Sequence, residues 1–315
     1  MIPLEDIRRA QHVIAGTAVR TPLVRLHVEE APAEIYLKLE NLQPIGSFKI
    51  RGAYNAMTQA PREELAAGAV TASAGNMAQG VAWAARELGI PCTVIVPDHA
   101  PETKLAAIER LGGGYVKVPF DRWWQALEER SYPGVKGAFI HPVEDEPVMA
   151  GNGTIGLEVI EDLPDPDAVL VPWGGGGLLV GIASAVKALR PETEIRGVEL
   201  ETAAPLTASL AAGEPRAIDY RATWVDGAGA RALLPKMWEL GRPLLDGSHV
   251  VSLEETAAAV RLLAERVRVV AEGAGALAVA AALSGRAGSG KIVCVVSGGN
   301  IDASVLTKIL AGETP

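Results

Sequence analysis

The stretch Val171-Pro172-Trp173-Gly174-Gly175-Gly176-Gly177-Leu178 decides how this chain folds. An apolar run, Ala168–Val171, ends at four consecutive glycines, and the apolar segment Leu178–Ala188 follows as a helix. A glycine tetrad loses much conformational freedom on ordering, which is a heavy cost for a simple turn. At a helix start, however, it leaves backbone N–H groups open to an anion. The stretch therefore reads as a phosphate cradle set between a strand and a helix.

Outward from this unit, short apolar runs alternate with longer amphipathic segments. The strands expected are Ile35–Leu39, Gly68–Ala72, Cys92–Val96, Tyr115–Val118, Ala138–Ile140, Ala168–Val171, Ile195–Val198 and Ile292–Val296. Pro101–Leu111 is expected as a helix with Pro in its first turn and Leu105, Ile108 and Leu111 on one face. Leu253–Val267 is expected as another, opened by a capping box of Ser252 and Glu255. Such alternation defines an α/β chain whose parallel sheets are covered by helices.

Composition narrows the function classes. The 315 residues are 49% hydrophobic and 21% charged, as in an ordinary globular chain with room for one large domain or two modest ones. A net charge of −9 argues against nucleic acid as a partner, because phosphate backbones need a basic face. Cys92 and Cys294 sit in strand-like apolar runs and read as core packing. No apolar run reaches the roughly 20 residues of a membrane span and no leader opens the chain, so a cytoplasmic location is expected.

Two glycine motifs are set aside. Gly151-Asn152-Gly153-Thr154-Ile155-Gly156 matches the dinucleotide fingerprint, but no buried strand precedes it and no ribose-binding acid follows. Gly285–Lys291 resembles a phosphate loop, but a strand rather than a helix follows, so it reads as a surface loop.

Three further stretches join the cradle. In Pro44-Ile45-Gly46-Ser47-Phe48-Lys49, a turn is followed by a helix that Ser47 is placed to cap, with Lys49 in its first turn. A partly buried lysine at a helix N-terminus has a depressed pKa, as a Schiff-base lysine requires. Taken alone, Lys49 reads more simply as a solvated surface lysine. In Ser73-Ala74-Gly75-Asn76-Met77-Ala78-Gln79, a strand ends in small residues and Asn76 opens a helix, leaving N–H groups for a carboxylate or phosphate. Ser297-Gly298-Gly299-Asn300 follows the last strand. All four stretches lie at strand ends or helix starts, where α/β sheets place ligands.

Together these stretches resemble the fold-type II pyridoxal-phosphate (PLP) enzymes, and within them the threonine/serine dehydratase and serine racemase group. The likeness runs from Thr21-Pro22-Leu23 to Ser297–Asn300. It implies a two-domain, tryptophan synthase β-like α/β fold with parallel-type sheets flanked by helices. Residues 1–50 and 140–315 would form the large PLP-binding domain, and residues 51–139 a small domain carrying the Asn76 turn.

The resemblance also implies residue roles. Lys49 would carry the cofactor and act as the catalytic base, with Phe48 beside the ring. Asn76 would bond the phenolic oxygen, and Ser297 would face the ring nitrogen. Gly174, Gly175, Gly176, Gly177 and Leu178 would hold the phosphate. Ser73, Ala74, Gly75, Met77 and Gln79 would form the turn that receives the substrate. The implied reaction is β-elimination from a small hydroxy amino acid such as L-threonine or L-serine, giving a 2-oxo acid and ammonia, by a homodimer.

Several positions depart from the group. Ala74 replaces the second proton-transfer serine of the racemases, which favours dehydration, since a methyl group moves no proton. Met77 replaces a usual His, Asn152 a usual Gln, and Trp173 a smaller residue, so the pocket is expected to differ in shape. Glu199 matches one cation ligand of the racemases, but Pro205 stands where an Asp ligand would be, so no metal is expected. Glu272 matches a position near the ring. The chain ends soon after Asn300, so no C-terminal regulatory domain is expected. A racemase, a β-replacement synthase, a weakly active PLP-binding protein and, outside the group, a nicotinamide dehydrogenase are the competing readings.

Overall fold

The computed structural model describes residues 1–29 and 31–315. The eight expected strands all form, each within one or two residues of its expected limits. Among the described residues the strands are β1 (Leu23–Arg25), β2 (Glu34–Leu39), β3 (Ala69–Ala72), β4 (Cys92–Pro97), β5 (Gly114–Val118), β6 (Ala138–Phe139), β7 (Ala168–Pro172), β8 (Glu194–Leu200), β9 (Gly247–Val251) and β10 (Lys291–Val296). Two of these, β1 and β9, carry no clear sequence signal. Both lie at sheet edges; β1 has three residues, and β9 is mostly half-buried.

Among the described residues the strands form two sheets. One has the order β1-β2-β10-β7-β8-β9, parallel except for the antiparallel β1–β2 pair. The other has the order β5-β4-β3-β6 and is parallel throughout. Alternation along the strands supplies a core on each face. In the larger sheet Val169, Val171, Val293 and Val295 pack into one cluster, while Leu170, Ile292, Cys294 and Val296 pack into the opposite one. Strands buried on both faces read as unbroken apolar runs, which is why they are visible in the sequence. Cys92 and Cys294 are free thiols in this packing.

Strand order also places the ligand crevice. From β7 the chain moves through β8 to β9 on one side, whereas β10 returns to the other side of β7. The boundary between β7 and β10 is therefore a switch point, and open α/β sheets bind ligands outside the carboxyl ends at such points. The Gly174–Gly177 turn leaves β7 there, and Ser297 leaves β10. In the smaller sheet, β4 and β6 flank β3, whose carboxyl end leads into Ser73–Asn76.

Gly151–Gly156 lies inside the Glu146–Asp162 helix and forms no phosphate loop. Its glycines permit close helix contact. A Cβ on Gly151 would stand 2.5 Å from the Arg51 carbonyl oxygen, and one on Gly156 2.8 Å from that of Ile182. The Lys49–Gln59 and Gly177–Leu189 helices thus pack against the same central helix, fixing Lys49 relative to the glycine cradle. The Leu253 segment keeps its capping box, but its α-helix ends at Leu262 and Leu263–Val267 is a π turn. No helix among the described residues is long and apolar enough to cross a membrane.

Candidate active site

A cavity of about 500 Å³ opens between the carboxyl ends of the two sheets. Lys49, Asn76, Gly174–Gly177 and Ser297, from four separate stretches of sequence, all line it. Phe48, Leu178, Ser73, Gly75, Met77 and Gln79 line it as well. Ala74 does not; it packs against the apolar cluster of the smaller sheet.

Lys49 is the first residue of its helix, with Phe48 in the N-cap place. Ser47 does not cap this helix, contrary to expectation. Its backbone is bridged to Gly298, and its hydroxyl is buried without a hydrogen-bond partner among the described residues. The Phe48 amide donates to the Ser297 carbonyl at 3.1 Å, so the start of this helix is tied to the end of β10. Lys49 Nζ lies 5.2 Å from the centre of the Phe48 ring and donates to the Pro142 carbonyl at 2.9 Å. Burial lowers its pKa to about 8, against the opposing charge of Glu272.

Behind Lys49 lies a buried ionic network. Arg51 Nε and Nη2 donate to Glu40 at 2.8 Å, and Nη1 and Nη2 donate to Glu158 at 2.6 and 2.9 Å. Lys38 Nζ donates to Glu158 at 2.5 Å and to the Thr21 carbonyl at 2.6 Å. Two cations thus balance two carboxylates. Burial disfavours the Glu40 carboxylate, but the charge and hydrogen bonds of Arg51 outweigh it and hold the pKa below the ordinary value.

The cradle is shaped from behind by two side chains. A Cβ on Gly176, whose φ is +96°, would lie 2.6 Å from the buried Trp173 ring, and one on Gly177 2.8 Å from the Val143 carbonyl. Trp173 therefore supports the turn and does not line the cavity. Asn152 acts similarly, with Nδ2 3.3 Å from the Gly177 carbonyl. The Gly177–Leu189 helix has no side-chain cap, and its first intrahelical bond to Gly176 comes from Val180 N, so the earlier N–H groups remain for an anion.

Sequence reasoning missed His141. Its Nδ1 accepts from Val143 N at 3.2 Å and Glu144 N at 2.9 Å, shaping the loop that supplies Pro142 and Val143. Burial, then the charges of Arg130, Lys49 and Lys236, lower its pKa to about 3 and keep it neutral. Also unforeseen are contacts across the cavity mouth. Lys104 pairs with Asp226, and Thr103 Oγ1 donates to Asp302 at 3.2 Å.

Glu199, the candidate cation ligand, caps a helix. Its carboxylate accepts from Leu206 N at 2.7 Å, and from Thr207 N and Oγ1 at 2.8 Å, at the start of the Pro205–Ala212 helix.

An amine, an anion cradle at a helix N-terminus, an amide and a neutral hydroxyl around one cavity match the groups of PLP: its aldehyde, phosphate, phenolic oxygen and ring nitrogen. Residues 14–298 match the family model described as pyridoxal-phosphate dependent enzyme, and the chain belongs to that family. Its cofactor is PLP. Among curated relatives, the L-threonine ammonia-lyase of Thermotoga maritima is 42% identical, covering 98% of this chain and 78% of the relative. The catabolic L-threonine dehydratase of Escherichia coli K12 is 39% identical, covering 98% and 96%. Maize serine racemase has a similar structure, with a TM-score of 0.88 and 32% identity over 98% of this chain and 97% of that one.

Proposed function

We propose that this enzyme eliminates the β-hydroxyl of a small hydroxy amino acid, L-threonine foremost, to give a 2-oxo acid and ammonia. The relatives named for threonine support that substrate. The observation that carries the reaction type is Ser297 at the end of β10, lining the cavity. A hydroxyl opposite a ring nitrogen does not force its protonation as a carboxylate would. The nearby carboxylate, Glu272, is engaged by Asn76 instead.

When bound, PLP withdraws electrons from the substrate's Cα. In this reading the first N–H groups of the Gly177–Leu189 helix hold the cofactor phosphate, and Asn76 and Ser297 orient the ring. The Ser73–Gln79 turn receives the substrate carboxylate at the uncapped start of the Asn76–Leu88 helix. Lys49 Nζ removes the Cα proton, and its lowered pKa leaves a usable fraction of free amine near neutral pH. Ala74 lies outside the cavity lining and carries no group able to deliver a proton, so this position supplies no second proton-transfer group for racemisation.

We also infer that residues 51–139 and the remainder (1–50 and 140–315) act as two domains about the cavity, in a cytoplasmic homodimer. Light scattering tests the dimer. The reaction is tested by 2-oxo acid release from L-threonine, L-serine and D-serine, with and without an added thiol. Release from an L-hydroxy amino acid without thiol is expected. An S-substituted amino acid formed with the thiol, and no 2-oxo acid without it, would show a β-replacement synthase.

A further inference from the structure

Asn76 sits in a chain of side-chain amides with a fixed direction. Asn300 Nδ2 donates to the Ile45 carbonyl at 2.9 Å and to Asn76 Oδ1 at 2.7 Å. Asn76 Nδ2 donates to Glu272 Oε1 at 2.7 Å. The two ends are a backbone carbonyl and a carboxylate. Neither donates a hydrogen bond when Glu272 is ionised. A carbonyl at one end forces Asn300 to turn its NH₂ inward, and that NH₂ forces Asn76 to present its oxygen. Once ionised, the carboxylate at the other end demands the Asn76 NH₂; burial raises the Glu272 pKa to about 7, so this constraint is complete above neutral pH. Both constraints select one orientation of the Asn76 amide.

The backbone holds the ends in place. Glu272 N donates to the Gly298 carbonyl at 3.0 Å, and Gly299 N donates to the Gly46 carbonyl at 2.8 Å. Asn300 Oδ1 would lie 2.7 Å from a Cβ on Gly46, so a side chain there would push Asn300 aside. Asn76 opens the helix after β3 of the smaller sheet, whereas Glu272 and Asn300 belong to segments beside the larger one. The chain of amides therefore spans the cavity.

We propose that Glu272 and Asn300 are positioning residues that lock the Asn76 amide so that its NH₂, with one hydrogen engaged by Glu272, offers the other to the cofactor's phenolic oxygen. This rests on the assignment of Asn76 as the partner of that oxygen. The lock gives Asn300 a role that depends on donating a hydrogen bond. It gives Glu272 a role that depends on accepting one.

Substitutions of similar shape and different hydrogen-bonding capacity test this in the PLP-loaded protein. The readouts are the cofactor's visible absorption band and its rate of release, with circular dichroism reporting folding. Asn76→Ala is the control. It should shift the band and speed release about tenfold or more, as loss of a charge-assisted hydrogen bond implies. An unchanged spectrum and release rate for this variant would refute the Asn76 assignment itself.

Given that control effect, Asn300→Asp should reproduce it, because the new carboxylate faces Asn76 Oδ1 with no hydrogen to give. Asn300→Ala, which removes the donor without adding an acceptor, should fall between Asn300→Asp and the wild type. Glu272→Gln can still accept through Oε1 and should stay close to wild type, whereas Glu272→Ala should move toward Asn76→Ala. Asn300→Asp no different from Asn300→Ala would overturn the lock, and so would Glu272→Gln as damaging as Glu272→Ala. If Asn300→Asp does not fold, the Glu272 pair decides alone.

Discussion

Lys49 Nζ donates a 2.9 Å hydrogen bond to the carbonyl of Pro142, a loop residue whose position depends on the neutral ring of His141. The contact holds the amine inside the cavity. Burial there is the main reason its pKa falls from 10.5 to about 8. Burial removes water from the ammonium, and a carbonyl does not replace the missing countercharge.

This leaves more of Lys49 as free amine near neutral pH than an ordinary lysine has. In cofactor-free protein, acylation of Lys49 by an amine-selective reagent, followed by peptide mass analysis, should rise with pH to a plateau with a midpoint near 8. The direction follows from the reacting species, since only the free amine attacks and the ammonium dominates below the midpoint. A midpoint near that of the surface lysines would contradict the burial argument.

The Arg51 network should be costly to break and comparatively tolerant of being replaced whole. Arg51→Met leaves Glu40 and Glu158 buried with only Lys38 as cation, and denaturant unfolding should show a loss of about 3–5 kcal/mol. Combining it with Glu40→Gln removes one uncompensated charge and should recover part of that loss. A double variant less stable than Arg51→Met would contradict this balance.

The glycine cradle should fail locally. At Gly176 an alanine meets both a left-handed φ and the Trp173 ring, a strain of about 1–3 kcal/mol from the backbone alone. Gly176→Ala should lose PLP on dialysis at least tenfold faster than wild type. Gly213→Ala is the control. Gly213 also has a positive φ (+74°), but a methyl group there would meet no neighbour within 4 Å. Equal cofactor retention by the two variants would show that the cradle is not the phosphate site.

Much of this site is visible in the sequence because its parts are local. An apolar run followed by Gly174–Gly177, Ser73–Asn76 or Ser297–Asn300 marks a buried strand and the turn at its carboxyl end. Edge strands are harder to read. Neither the three residues of β1 nor the half-buried β9 shows a strong alternation. Ser47 has the composition of a cap, but its backbone bridge to Gly298 overrides that local preference. The Gly151–Gly156 motif shows the same limit, because its glycines serve helix contacts that sequence spacing does not reveal. The amide chain is least legible: Asn76 meets residues 196 and 224 positions away, and only the tertiary fold brings them together.

In the proposed reaction Lys49 drives elimination from a hydroxy amino acid. Its most direct measurement is 2-oxo acid release from L-threonine by the PLP-loaded wild type and by Lys49→Ala, without any added nucleophile. The wild type should release 2-oxo acid and ammonia in equal amounts, and Lys49→Ala should release neither. No release by the wild type from L-threonine or L-serine, or undiminished release by Lys49→Ala, would rule out elimination driven by Lys49.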